Sequence, residues 1–286
     1  MIPVFSNQDS SASPPVLVRL QNATFRQAKL WASMQVGLQA ILFAGGLVSI
    51  FSERWSLGYP WLAFPLAVIG VCMTLRTTYF KGRAEFLKRQ HEYLDGLGSQ
   101  PSERILANLR AELPAALKPE VERLLTAGTT YASASPAGLN RVLENVCQSA
   151  FFSRQLAAYC AHYLLILLVV TGVVAVSFLL FCLHTLHDAV SAVTAARSVA
   201  ATLVFLISVG TIRCWRGYAT FSAKAEQAYA EADRQLAQAD PGPCETHRIL
   251  AEYQLARAAA PLIPTAVWRF HRTRLNEIWD TRNHSN

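Results

Sequence analysis

The stretch "YLLILLVVTGVVAVSFLLFCL" at residues 163–183 decides the fold of this chain, because it contains no charged side chain. A helix needs roughly 20 predominantly apolar residues to cross the hydrocarbon core of a bilayer. This stretch meets that length without help from its neighbours, so the sequence predicts a transmembrane helix here.

The rest of the chain also has the composition of a membrane protein. Of its 286 residues, 52% are hydrophobic and 16% are charged, whereas a soluble domain carries about 25% charged residues. Four segments are nearly free of charge, and a soluble core rarely contains four such runs together. They lie at residues 33–51, 61–80, 160–183 and 198–213. We therefore expect an all-α integral membrane protein with four transmembrane helices as two hairpins, extended by helical cytosolic parts.

The distribution of Lys and Arg predicts the orientation in the membrane. Residues 81–158 hold ten of them and the tail from Arg213 holds ten, whereas the short connections 52–60 and 184–197 hold one each. Because positive charge accumulates on the cytosolic side, both termini and the long middle segment are expected in the cytosol. The predicted regions are a cytosolic N-terminal helix (1–32), a first transmembrane hairpin (33–80), a cytosolic helical linker (81–158), a second transmembrane hairpin (159–213) and a cytosolic helical C-terminal region (214–286).

The two predicted hairpins begin and end alike. "FRQAKLWA" (25–32) precedes the first span and "FSRQLAAYCA" (152–161) precedes the third. "TLRTTYFKGRAEFLKRQ" (74–90) follows the second span and "TIRCWRGYATFSAKAEQ" (211–227) follows the fourth. Matching signals at matching places predict two related hairpins packed in parallel topology.

Gln35 and Gln39 are the polar residues of interest within the spans. They lie four apart, so they share one face of the first span. An amide in hydrocarbon is costly unless it pairs or meets water. The pair is therefore a candidate pore lining, although a hydrogen bond to another helix is the interpretation that the sequence favours.

The tail motif "WRFHRTR" (268–274) interleaves aromatic and basic side chains. Such a face can stack a base and hold phosphates, or it can lie on anionic lipid, which is the default interpretation. The candidate ligand-binding residues of the tail are Arg257, Trp268, Arg272 and Arg274. No DNA or RNA binding is expected.

The sequence carries no catalytic motif and predicts no enzyme, metal or cofactor. His184, His187 and Asp188 lie near one another in the second predicted outer connection. Without further ligands in sight, they are interpreted as solvated residues.

The order of several short motifs resembles the SMODS-associating four-transmembrane effector family. The entry to the first span is similar at Phe25, Ala28 and Lys29, and the approach to the third span is similar at Cys147 and Gln148. The tail is similar over a longer set of positions. These are Arg248, Gln254, Arg257, Pro261, Pro264, Trp268, Arg272 and Glu277.

The resemblance implies a pore-forming effector of bacterial anti-phage defence, located in the inner membrane as a homo-oligomer. A cyclic nucleotide made by a partner nucleotidyltransferase would bind the cytosolic part, and the spans would then open a pore and cause abortive infection. Two other classes stay open: a small constitutive channel or transporter, and a non-conducting membrane scaffold or sensor. The spans hold almost no ionisable residue at depth, which disfavours a transporter.

Overall fold

The computed structural model describes residues 13–51, 53–99, 104, 108, 133, 135–185, 189–208, 210–238 and 241–283. Over this part of the chain the fold is all-helical, with seven helices and no strand. The helices are α1 (Ser13–Phe51), α2 (Glu53–Leu97), α3 (Leu139–Thr185), α4 (Ala189–Ser208), α5 (Thr211–Leu236), α6 (Pro243–Ala259) and α7 (Thr265–Asn283). The all-helical prediction is confirmed for these residues.

The helices contribute to two compact units. Unit 1 comprises Met1–Ala28, Tyr79–Gln155 and Phe221–Ala260, and unit 2 comprises Lys29–Thr78, Leu156–Thr220 and Pro261–Asn286. The divisions fall near the predicted edges of the charge-free segments. The predicted C-terminal region 214–286 is an exception, because the structure divides it between the two units.

Unit 1 has the interior of a soluble helical bundle. Five helices, α1, α2, α3, α5 and α6, each supply buried apolar side chains to it. Tyr253 of α6 and Leu143 of α3 are among the largest fully buried side chains, and Ala225 and Ala232 on α5 are completely covered. Unit 1 therefore buries its apolar face within the protein, as water-exposed bundles do.

Unit 2 presents its apolar side chains outward instead. Among the described residues, the exposed large apolar side chains belong to unit 2, apart from Tyr79, Phe86 and Leu255. Soluble proteins rarely expose apolar surface of this extent. Three helices within the described residues are long and apolar enough to cross a membrane, at Leu17–Ile50, Trp61–Leu97 and Leu139–Phe181. These are the features of a multi-pass membrane protein.

The predicted fourth span is not among those three helices. α4 ends at Ser208 and α5 begins at Thr211, so residues 198–213 are not one helix. Gly210 lies between the two helices with a φ of 75°. Residues with a Cβ adopt this backbone conformation only at an energetic cost. The sequence-based boundary missed this break because a glycine within an apolar run leaves the hydropathy unchanged.

The predicted outer connections were too long. α2 begins at Glu53, two residues after the last residue of α1, and it includes Pro60 of the predicted connection. α3 extends to Thr185, and α4 begins at Ala189 in an alanine-rich segment with high helix propensity. His184 thus lies in the last turn of α3, whereas His187 and Asp188 lie outside the described residues.

The helix ends that the sequence predicts after the spans are close to those observed. α2 ends at Leu97, and Gly98 follows with a φ of 69°. α3 runs without interruption from Leu139 into the predicted third span. α6 and α7 flank the segment 261–264, which contains Pro261 and Pro264. Residues 102–113 lie outside the described part of the chain, except for Arg104 and Asn108, which are helical.

Candidate functional site

An open cleft of about 410 Å³ lies within unit 2, between α1, α2 and α4. Its wall is mainly apolar, and a stack of Phe43 on Phe205, with ring centroids 4.5 Å apart, joins α1 to α4 beside it. Four side chains with polar groups line it: Gln35, Gln39, Tyr59 and Thr74. The structure therefore places both predicted pore-lining glutamines on one cleft of the apolar unit.

The hydroxyl groups of this cleft are bonded to helix backbone, whereas the glutamine amides are not. Thr74 donates to the carbonyl of Gly70 at 2.9 Å, and Tyr59 donates to the carbonyl of Leu42. Neither Gln35 nor Gln39 is hydrogen-bonded to another described residue, and both side chains are half-buried. The two amides are thus the cleft groups that remain able to bond to water or to another molecule. Whether they line a pore stays a prediction.

A buried ionic cluster joins α6 to α2 within unit 1. Arg257 of α6 donates to Glu85 at 2.9 Å from Nε, and both of its terminal nitrogens contact Glu92. Gln254 donates to the same Glu92 carboxylate at 2.8 Å. Arg257, Glu85 and Glu92 have 7%, 6% and 5% of their side-chain surface exposed. The cluster is accordingly shielded from solvent.

The predicted ligand-binding residue Arg257 therefore already has anionic partners from its own chain. Burial alone would lower the pKa of its guanidinium, but the charges of Glu92 and Glu85 outweigh this and raise that pKa well above its usual value. The guanidinium carbon also lies 5.4 Å from the centre of the Tyr253 ring, within the range of a cation–π interaction. In this conformation Arg257 fastens α6 to α2.

Four further polar contacts, made by the side chains of Tyr253 and Lys81, hold α6 in unit 1. The Tyr253 hydroxyl lies 2.8 Å from Ser149 Oγ and 2.9 Å from Ser153 Oγ on α3. Lys81 of α2 donates to the carbonyls of Ala258, at 2.7 Å, and Ala260. A cation is favourable at this position because carbonyls at a helix C-terminus lack intrahelical partners.

The other three predicted ligand-binding residues, Trp268, Arg272 and Arg274, lie on α7 in unit 2. Arg272 and Arg274 are exposed, and Trp268 is half-buried. Arg257 lies in unit 1, where Glu85 and Glu92 are its partners. Whether the α7 residues bind a ligand stays a prediction.

The ionic cluster is the arrangement that the sequence interpretation missed. Glu85 and Glu92 lie seven residues apart, close to two helical turns, so they share a face of α2. That spacing is a weak sequence signal, but it does not identify the partner of the two carboxylates. Two other carboxylates, Glu226 and Glu231, pair with Arg154 and Arg248.

Comparisons of the chain with protein-family models, with curated proteins and with solved structures yield no match.

Proposed function

We propose that this chain is a membrane effector that forms an oligomeric pore in a bacterial inner membrane. In this proposal a cyclic nucleotide from a partner nucleotidyltransferase activates it during phage infection, and loss of the membrane gradient ends in abortive infection. The sequence resemblance described above supports the biological setting. The outward-facing apolar helices of unit 2 support the membrane location.

The observation that carries the proposal is the position of Gln35 and Gln39 in the cleft of unit 2. Both amides lie on α1, one of the helices able to cross a membrane, and both face the same open space. In hydrocarbon, an amide without a partner costs several kcal/mol, so it favours water or another polar group. Copies of the chain arranged around a common axis would bring these amides together as a polar lining.

The proposed topology has α4 as a fourth span, so that α1 with α2 and α3 with α4 form two hairpins. α4 has 20 residues from Ala189 to Ser208, which is the length that a bilayer requires. Both termini are then cytosolic, in agreement with the excess of Lys and Arg outside the apolar segments. Gly210 ends the fourth span before Arg213 on the cytosolic side.

Conduction through such an assembly needs no energy source of its own. An elementary charge that crosses a potential of about 100 mV releases roughly 2.3 kcal/mol. An apolar pore conducts only when it is wetted, and a polar side chain lowers the cost of filling it with water. Gln39 therefore offers a direct test of the proposal.

The test is ion flux in liposomes that contain the purified full-length chain, with and without a panel of cyclic dinucleotides and trinucleotides. The Gln39→Leu variant should lower the flux because the path loses an amide worth about 1–3 kcal/mol, a roughly five- to hundredfold effect. Gln227→Leu is the matched control, since Gln227 is an exposed residue on α5 that bonds to Glu231. Its flux should equal that of the unmodified chain.

Crosslinking in the same liposomes separates the alternatives. If Gln39→Leu keeps its oligomers and loses flux, the amide wets the path. If its oligomers dissociate instead, Gln39 holds helices together, as the sequence interpretation favoured. Flux that is equal with and without every nucleotide indicates a constitutive channel. Growth arrest of cells that keep a full membrane potential, measured with a potential-sensitive dye, would reject the pore in favour of a non-conducting scaffold.

A further inference from the structure

α7 is fastened to the segments that lead into two of the spans. Lys29 of α1 donates to Thr265 at 3.3 Å. The ring of His271 stacks on Tyr159 of α3, with centroids 3.8 Å apart and planes 6° apart, and its Nε2 lies 2.8 Å from the Tyr163 hydroxyl. These contacts all lie within unit 2.

The contacts with Lys29 and Tyr159 show where α7 lies relative to the charge-free segments. Lys29 lies just before the charge-free segment 33–51, and Tyr159 lies just before the charge-free segment 160–183. Tyr and Lys are typical of the boundary between hydrocarbon and water. α7 is therefore held where two membrane-crossing helices pass from polar to apolar sequence.

The exposed surface of α7, named here its outer face, combines one aromatic ring with three cations. The Phe270 side chain is 81% exposed, among the most exposed of the large apolar side chains described. Arg269, Arg272 and Arg274 are also exposed, and no described residue forms an ion pair with any of them. The acidic residues of the helix, Glu277 and Asp280, come one or two turns later.

An exposed phenylalanine surrounded by arginines suits one environment in particular. At the surface of a bilayer, the ring enters the apolar boundary while the guanidinium groups bind headgroup phosphates. In water alone the exposed ring gains nothing from this arrangement. A soluble nucleotide has the same phosphate chemistry, and its base could stack on the ring. Lipid is favoured by position, because the contacts with Lys29 and Tyr159 hold α7 where the polar sequence of two spans becomes apolar.

We propose that α7 is an interfacial helix whose outer face, Arg269, Phe270, Arg272 and Arg274, binds the headgroups of anionic phospholipids. The inference requires unit 2 to be in a membrane but does not depend on conduction or on a nucleotide signal. It assigns the tail motif to lipid, which was the default interpretation of the sequence, and names the residues that contact the headgroups.

The test is photo-crosslinking of the full-length chain in nanodiscs that contain equal amounts of phosphatidylglycerol and phosphatidylcholine. The photoreactive residue benzoylphenylalanine replaces Phe270, and mass spectrometry identifies the adducts. We expect lipid adducts in which phosphatidylglycerol exceeds phosphatidylcholine severalfold. Leu255 is the matched control site because it is an apolar side chain on α6 with 63% exposure, but it belongs to unit 1. Crosslinker at position 255 should form no lipid adduct.

Charge variants test the role of the arginines. Replacing Arg269, Arg272 and Arg274 together by Gln should remove the severalfold preference for phosphatidylglycerol, because the attraction to anionic headgroups depends on these charges. The corresponding triple Lys variant keeps the charges and should keep the preference. Equal thermal melting of both variants shows that α7 remains folded.

Three results would overturn the proposal. Adducts from position 270 to another protein chain would show that this face is a protein interface. Equal labelling of the two lipids would show that the arginines do not select anionic headgroups. Suppression of the lipid adducts by cyclic dinucleotides, in a molar amount far below that of phosphatidylglycerol, would assign the face to a soluble nucleotide.

Discussion

The buried cluster around Arg257 gives a prediction whose size follows from the geometry. Arg257→Met replaces the guanidinium by an apolar side chain and leaves Glu85 and Glu92 buried without their main partner. Removing one member of a buried ion pair typically costs about 3–5 kcal/mol. The positive charge of Lys88 also interacts with both carboxylates and remains in the variant. The expected loss of unfolding free energy is therefore toward the lower end of this range.

Thermal unfolding in detergent, followed by circular dichroism, measures this loss. At roughly 2–4 °C for each kcal/mol, the expected decrease in Tm is about 6–20 °C. Arg248→Ala is the matched control on the same helix. Arg248 pairs with Glu231, Glu245 and Glu252 at the surface, where ion pairs contribute little. Its Tm should remain close to that of the unmodified chain.

A compensated variant separates lost charge balance from lost packing. Adding Glu85→Gln and Glu92→Gln to Arg257→Met removes the two unpaired carboxylate charges, so part of the lost stability should return. The return is incomplete because the buried Lys88 ammonium then lacks both carboxylates. If the Tm of Arg257→Met equalled that of Arg248→Ala, the cluster would not be stabilising unit 1. If the triple variant were less stable than Arg257→Met, packing around the guanidinium would matter more than charge.

Two further predictions concern the topology and the helix break. In a background without native cysteines, single cysteines at Ser56 and Ala189 should react with an impermeant maleimide in intact spheroplasts. A cysteine at Ser99 should react only after lysis, and its labelling before lysis would contradict the predicted orientation. Gly210→Ala should destabilise the chain by about 1–2 kcal/mol because of its positive φ, whereas Gly82→Ala, in a helix with no atom near the added Cβ, should be neutral or stabilising by roughly 0.5–1 kcal/mol. Equal melting temperatures for these two variants would contradict the turn at Gly210.

The sequence by itself determined the class of the fold and most of its helices. The apolar run at residues 163–183 predicted a helix long enough to cross a bilayer, because in lipid a helix satisfies its backbone hydrogen bonds within one segment; the structure has such a helix there. Gly98 and the prolines at 261 and 264 marked helix ends because glycine and proline act on the local backbone. Such signals depend only on residues that are close in the sequence, so they can be recognised without a structure.

The tertiary structure alone decided which side chains meet. Arg257 looked in the sequence like a candidate phosphate ligand, yet it contacts a carboxylate 172 residues earlier in the chain. The sequence also placed the whole tail in one region, whereas α6 packs in unit 1 and α7 packs against Lys29, Tyr159 and Tyr163 in unit 2. Hydrophobic periodicity shows which face of a helix is apolar, but many partner helices satisfy it equally well. The specific partner depends on the shape and charge of surfaces that exist only after the helices have packed.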